Sequence, residues 1–437
     1  MRGGRGLVRL EIRDPKSGPM TSQRASGAKE SGRPDTSTLL FVAFVLFIDM
    51  VGIGLIIPVM PALLETLTGL GVDKTAEIGG WLLFAYAVMQ FLFAPIIGGL
   101  SDRFGRRPIL LFTLFFLGID YAIMAWAPDL WWLFVGRLLS GIMGASWGAA
   151  NSCVADVVSP QDRGRYFGIL GGAGASGFVV GPAIGGVLGN VDERLPFFAA
   201  AILSITVAAI GWFVLKETLP AKKRRRFTMA RANPFGTIIQ MAQTPVVLGF
   251  LGIIFLMQLA YQSTFTVWAY YNVLAFGWNE LQIGLSIAFH GLLLAIVQGG
   301  LTGPAIARFG AKTTSMIGFV FAVPAYVMFA FAPSGWAMLA GILLGSLAGL
   351  SFPAMQQLMT ERISDDAQGE LQGAIASVIS LTSIIGPVVM TGLFGAFADD
   401  RGLYFPGAPF LLSVFILAAA LGVLRWNLGR ITAETPS

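Results

Sequence analysis

The sequence predicts an all-α membrane protein of about twelve transmembrane helices. They form two related sets of six, with both chain ends on the cytoplasmic side. Three observations carry that prediction: apolar blocks of spanning length, cations gathered in alternate connections, and a repeat at one fixed offset. Of 437 residues, 55% are hydrophobic and 12% charged, whereas a soluble chain has about 25% charged residues. The apolar residues fall in blocks of about 20, enough to cross about 30 Å of hydrocarbon at about 1.5 Å per residue. The predicted spans are 38–62, 78–100, 107–127, 131–153, 166–190 and 196–216, then 245–272, 281–302, 312–332, 335–357, 371–394 and 405–427.

With the first residue inside, the outer connections hold only Lys74, Arg194 and Arg401. The inner connections and tails hold nearly all other cations, including Arg103, Arg106, Arg107, Arg163, Arg165 and the run Lys222–Arg226. The positive-inside rule then orients the chain N-in, C-in. Residues 1–37 are polar, rich in Arg, Gly and Ser, and read as a disordered cytoplasmic tail rather than a signal peptide; Met20 is an alternative start. The six-helix bundles are 38–216 and 245–427, joined by a basic cytoplasmic linker, 217–244, and followed by a tail, 428–437. Lys222–Arg226 is a solvated linker segment or a contact for anionic lipid headgroups.

Arg103-Phe104-Gly105 recurs as Arg308-Phe309-Gly310, an offset of 205 residues (103 to 308). The same offset lays Gly181-Pro182 on Gly386-Pro387, Gly136-Arg137-Leu138-Leu139 on Gly341-Ile342-Leu343-Leu344, Ala127-Pro128 on Ala332-Pro333, and Tyr121 on Tyr326. One offset across four helices implies duplication of a six-helix unit.

Several function classes are excluded. One cysteine, Cys153, allows no intramolecular disulfide, and one histidine allows no multi-histidine metal site. The formal charge of +5 sits in short loops between apolar blocks, which reports topology rather than nucleic-acid binding. No nucleotide-binding loop, Gly-x-Ser-x-Gly turn or metal cluster supports an enzyme or a bound cofactor.

Charged residues inside the spans are costly and mark candidate sites. Asp49 lies about eleven residues into helix 1, about 16 Å deep. It either exchanges protons or is a structural acid paired with a cation. Asp120 in helix 3 and Arg137 in helix 4 lie at similar depth in one hairpin. They can pair, as a working site or as a static bridge. The offset places Ile254, Ala325 and Ile342 opposite these three, so proton handling belongs mainly to the amino-terminal half. Tyr86 and Gln90 in helix 2 and Gln258 and Gln262 in helix 7 are candidate pocket lining, or interhelical hydrogen-bond partners. In helix 5, Gly177, Gly181, Gly185 and Gly189 stand four apart, beside Pro182 and Gly186. This stripe is expected to let a helix of the other half pack closely and rock.

The run Gly98-Gly99-Leu100-Ser101-Asp102-Arg103-Phe104-Gly105-Arg106-Arg107 resembles the loop signature of the major facilitator superfamily, whose substrate site lies between two parallel repeats. Gly181-Pro182-Ala183-Ile184-Gly185-Gly186 resembles the helix 5 motif of its drug/proton antiporters. Val51–Pro58, Asp120–Ala125 and Leu381–Pro387 resemble the bacterial tetracycline-resistance efflux group, and the likeness covers about residues 38–427. It implies functional roles for Asp49 and Gln90, a substrate or proton role for Asp120, and a proton-relay role for Arg137. It implies that Arg106 reaches Asp156, and that the loop Asp102–Arg107, with Gly98 before it, gates the inner side. These cations also serve topology. Asp102 is expected to meet the positive end of a helix.

The chain departs from that group at two positions. A functional histidine of helix 8 is replaced by Leu294, with His290 one turn earlier on the same face, and a functional acid of helix 9 by Ala322. His290 is either a replacement or a lone imidazole bonded between helices. The resemblance implies proton-coupled export of a small amphipathic compound, tetracycline or another drug, by alternating access. It implies a monomer in the bacterial inner membrane among lipids, driven by the proton gradient without a cofactor. A proton-coupled metabolite transporter and a non-transporting sensor or scaffold are the alternatives; a scaffold has little reason to keep membrane carboxylates.

Overall fold

A computed structural model describes residues 36–144, 146–159, 162–224, 245–363, 368–399 and 402–433. The tail 1–35, Arg225 and Arg226, the remainder of the linker through residue 244, Arg401 and residues 434–437 lie outside them. The first helix, α1, runs Thr36–Ile56 and continues through a 3-10 turn, Ile57–Val59, into Met60–Thr68. Pro58 and Pro61 sit where the chain can spare their missing donors. Then come α2 (Val72–Phe104), α3 (Arg106–Ala125), α4 (Leu130–Met143 continued by Ser146–Val157), α5 (Arg163–Gly189) and α6 (Leu195–Val214).

In the second set, α7 is Pro245–Phe276. Helix α8 starts at Glu280–Ile296, passes a π turn at Val297–Leu301, and enters the segment Thr302–Ala330. That segment breaks at Gly310, and the part beyond the break is α9. Helix α10 comprises Gly335–Ser346, Leu347–Leu350 and Ser351–Thr360; α11 is Gln368–Ala398 and α12 is Ala408–Ala433. Among the described residues, eleven continuous stretches are long and apolar enough to cross a bilayer; the longest, the 51 residues Glu280–Ala330, is divided at Gly310 and supplies two spans, which makes twelve. Most helices outrun their predicted spans, because a helix does not end where the hydrocarbon does.

The repeat is visible in the backbone itself. Gly105 and Gly310 share one conformation, φ 112° and ψ 160° against φ 76° and ψ 157°, which a side chain would strain. Asp129 and Ser334, at the same offset, both start a helix from an extended backbone. Asp129 accepts a hydrogen bond from the Trp131 N–H at 2.9 Å, the usual N-terminal cap.

The first six helices pack mainly on one another, as do the last six, and the principal contacts between the sets are α5 with α8 and α2 with α11. The close glycine contacts of these seams lie toward one end. There, a side-chain carbon on Gly186 would fall 3.0 Å from Leu281, one on Gly80 3.1 Å from the Pro387 carbonyl oxygen, and one on Gly395 2.8 Å from Glu77. At the other end, which carries the Asp102–Arg107 loop, Gly164, Gly168, Gly171 and Gly172 of α5 and Gly299, Gly300 and Gly303 of α8 face open space. The close glycine contacts between the sets thus lie at one end, and these glycines of the other end face open space.

The glycine stripe has a different partner from the one expected. Gly177, Gly181 and Gly185 face α1 of their own set, while Gly189 faces both Val59, in the turn that continues α1, and Glu280 of α8. A side-chain carbon on Gly181 would lie 2.7 Å from the Val51 carbonyl oxygen, and one on Gly185 2.8 Å from the Leu55 backbone. The helix from the other set, α8, packs instead along Pro182 and Gly186 through its own Gly284. A stripe of small residues reports close approach, and the helix that approaches is settled by the whole bundle.

Candidate functional site

Among the described residues, one cavity lies between the sets and a second lies beside it, mostly within the second set. The first, about 350 Å³, is lined by Asp49 of α1, Tyr86 and Gln90 of α2, Arg137 and Ser140 of α4, and Gln262 and Tyr270 of α7, among others. The second, about 490 Å³, is lined mainly from α7 to α10, including Gln258, Tyr261, Trp268, His290, Leu294 and Tyr326. Ile57, Phe178 and Phe265 border both. The rings of Phe178 and Phe265, one from each set, stack with centroids 6.1 Å apart and planes at 15°.

Asp49 is 2% exposed and faces the first cavity. Gln90 donates from Nε2 to the Tyr86 hydroxyl and to the Gly144 carbonyl, both at 3.0 Å. The Gly144 bond ties α2 to the point where α4 is interrupted. Gln262 donates to Ser383 of α11 at 3.4 Å, while its buried Oε1 has no hydrogen-bond partner. Of the five predicted pocket residues, Tyr86, Gln90 and Gln262 fall in the first cavity, and Gln258 and His290 in the second.

Asp120 is fully buried and is not among the residues lining either cavity. It sits between α3 and α4, accepting a hydrogen bond on Oδ2 from Ser140, while Oδ1 has no hydrogen-bond partner. Arg137 does not reach it as an ion pair. Its Nη2 lies 3.0 Å from the Met124 sulfur, and the guanidinium borders the first cavity. Ser140, which borders that cavity too, is therefore the link between Asp120 and the cavity. Sequence reading passed over Ser140, a small residue on an apolar helix.

Arg106 is held as the resemblance implies: Nε lies 3.0 Å from Asp156 Oδ2. Its Nη1 lies 2.6 Å from Asp102 Oδ1, so Asp102 meets a cation within its own loop. The Arg106 backbone N–H donates to Glu217 Oε1 at 2.9 Å, and the same oxygen accepts from the Leu219 N–H at 2.9 Å. Glu217, just past α6, thus caps the start of α3, where helix dipole and unpaired N–H groups favour an anion. Its other oxygen lies 3.7 Å from Arg224. Arg107 reaches the Trp212 carbonyl and lies 5.5 Å from its ring, while Arg103 lies 5.0 Å from the Phe104 ring. Gly98 faces open space. Among the described residues, the polar contacts of the loop are with the amino-terminal set and with Glu217 at the start of the linker.

Leu294 lines the second cavity and presents methyl groups to it. Ala322 is 1% exposed, packed into the apolar core of the second set. Among the described residues no three His, Cys, Asp or Glu side chains gather closely enough to hold a metal.

Two sets of six membrane-spanning helices around a cavity lined by a buried acid and an arginine define a membrane transporter, and the sequence comparisons agree. The sequence matches the Major Facilitator Superfamily over residues 42–387 and 250–432, and the chain belongs to that superfamily. It is 39% identical over 363 residues to the tetracycline resistance protein, class C, of Escherichia coli, covering 83% of this chain and 91% of that one. It is 36% identical over 361 residues to the class B protein of Escherichia coli, covering 82% and 89%. In fold it resembles a bacterial homologue of the human lysosomal transporter Spinster in an inward-facing, occupied conformation, with a TM-score of 0.75, 17% identity and coverage of 92% and 99%. It also resembles the human organic anion transporter MFSD10, with a TM-score of 0.67, 23% identity and coverage of 90% and 100%.

Proposed function

We propose that this chain exports a small amphipathic compound, tetracycline or another drug, in exchange for protons, by alternating access in a bacterial inner membrane. The supporting observation is the placement of Asp49 and Arg137 on one cavity between the halves, with Asp120 behind it on Ser140. Buried carboxyls in an apolar bundle are costly when charged, so proton uptake and substrate binding compete for relief of that cost. Arg137 biases which carboxyl holds the proton.

The bundles 38–216 and 245–427 rock about the α5–α8 and α2–α11 seams. The linker 217–244 and the tails 1–37 and 428–437 lie on the cytoplasmic side, with both ends in. On that orientation the open end faces the cytoplasm, so the cavities take up substrate from inside. The loop Asp102–Arg107 with Asp156 gates this end. The proton gradient supplies the energy without a cofactor, and the monomer is the working unit, embedded in lipid. The resemblance to tetracycline resistance proteins supports the choice of substrate class. Leu294 and Ala322 favour recognition that does not depend on a chelated metal.

The test is drug accumulation in efflux-deficient bacterial cells. The wild type is expected to exclude tetracycline or a second amphipathic drug, and an uncoupler or Asp49→Asn to abolish that exclusion. Exclusion that survives both an uncoupler and Asp49→Asn contradicts the proposal.

A further inference from the structure

The two cavities differ in chemistry. The first carries both signs of charge, on Asp49 and Arg137. The second has no Asp, Glu, Lys or Arg among its lining residues and is walled by aromatic rings. Tyr261 and Tyr326 stack at 6.2 Å with planes at 11°, and Trp268 meets Phe329 edge-on at 5.3 Å. The Trp268 N–H is already bonded to Ser286 at 2.9 Å and the Tyr326 hydroxyl to Thr264 at 2.8 Å. Those two rings therefore offer apolar surface, and polar recognition falls to Gln258, His290 and Gln298. The volume of about 490 Å³ lies in the roughly 300–1,000 Å³ range of small-molecule sites.

We infer that this second cavity is a separate subsite for the flat, uncharged aromatic part of the substrate, parted from the ionisable cavity by the Phe178–Phe265 stack. The inference rests on the transport reading above and names the substrate class for it. A formal charge in a cavity without a counter-charge is penalised, and aromatic walls favour flat rings placed against them. The stack draws one ring from each half, so the partition changes when the halves move. Ring binding and proton exchange are then coupled through Phe178 and Phe265 although they occupy different cavities.

The test uses the full chain in lipid nanodiscs and two fused three-ring probes. Phenazine is neutral and ethidium permanently cationic, and each is followed by quenching of tryptophan fluorescence. Phenazine is expected to quench saturably, with ethidium about tenfold weaker or more. Tyr261→Leu removes an aromatic wall and Leu294→Trp fills the cavity; each is expected to weaken phenazine about tenfold. Asp49→Asn is expected to lose transport yet bind phenazine within about twofold of wild type. Absence of saturable phenazine quenching overturns the inference, as does ethidium binding equal to phenazine. So does phenazine binding that falls with Asp49→Asn and ignores both cavity substitutions. If phenazine binds as expected and no proton-driven export of any compound is found, the transport reading fails and the subsite stands. If export runs and both cavity substitutions leave phenazine binding unchanged, the subsite fails and the transport reading stands.

Discussion

Gly284 of α8 sits against the backbone carbonyl of Pro182 in α5, with no room for a side chain between them. On the other seam Gly80 of α2 faces the Thr391 side chain of α11, with the Pro387 carbonyl beside it. Proline leaves no donor and bends its helix, and the glycine lets the facing backbone approach. The two prolines are related by the internal repeat; the facing glycines are one position out of register, because the offset carries Gly80 onto Leu285.

Gly284→Leu is expected to hold the closed end apart. Transport should fall at least about tenfold, while expression and monodispersity in detergent stay near wild type, because the contact lies between the bundles rather than within one. Transport assays beside size-exclusion profiles check this.

Gly185→Val is expected to act differently. Its partner is Leu55 of α1 within the same bundle, so overpacking there should cost about 1–3 kcal/mol and lower the melting temperature of the purified protein. Gly186→Val, one residue on, faces Glu280 and Leu281 of α8 and should impair transport with a smaller loss of melting temperature. Thermal denaturation of both variants separates stripe from seam.

Ser140→Ala removes the hydroxyl that donates to Asp120. A buried carboxyl without that bond should cost the bundle about 1–3 kcal/mol. The double variant Ser140→Ala with Asp120→Leu should recover part of it, because both polar groups are then gone. Melting temperatures of these two variants and of Asp120→Leu alone, beside wild type, check the cycle.

Glu217→Gln keeps the shape of the cap on α3 and removes its charge. Charge-assisted bonds are roughly twice as strong as neutral ones, so a loss of about 1 kcal/mol in stability is expected. Arg106→Ala should cost more, because it leaves Asp156 and Asp102 without their shared cation. Thermal stability together with transport, compared between the two variants, checks the order.

Much of the fold was legible because a bilayer imposes span length on the sequence. The 205-residue offset found Gly105 and Gly310, and both adopt positive φ at the corresponding helix break. The partner of the α5 stripe was not legible, since small residues show that something approaches and not what. The aromatic wall of the second cavity was hidden for a related reason. Tyr261, Phe265 and Trp268 sit in a largely apolar helix, and the neighbouring Gln258 and Gln262 mark a polar position without showing that aromatic rings share the cavity with them. Asp49 stood out because a membrane carboxylate is rare. Glu217 did not, because one acid after a helix end is ordinary, and its partner Arg106 is 111 residues away.

The most direct test of the central claim, that the amino-terminal half couples protons to substrate, is drug transport into proteoliposomes under two regimes. One regime imposes a pH gradient; the other offers only exchange of labelled for unlabelled drug, with no gradient. The account predicts that Asp49→Asn loses gradient-driven accumulation and keeps exchange, because the cavities and the rocking seams are intact and only the proton step is gone. Gradient-driven accumulation by Asp49→Asn at the wild-type level contradicts it.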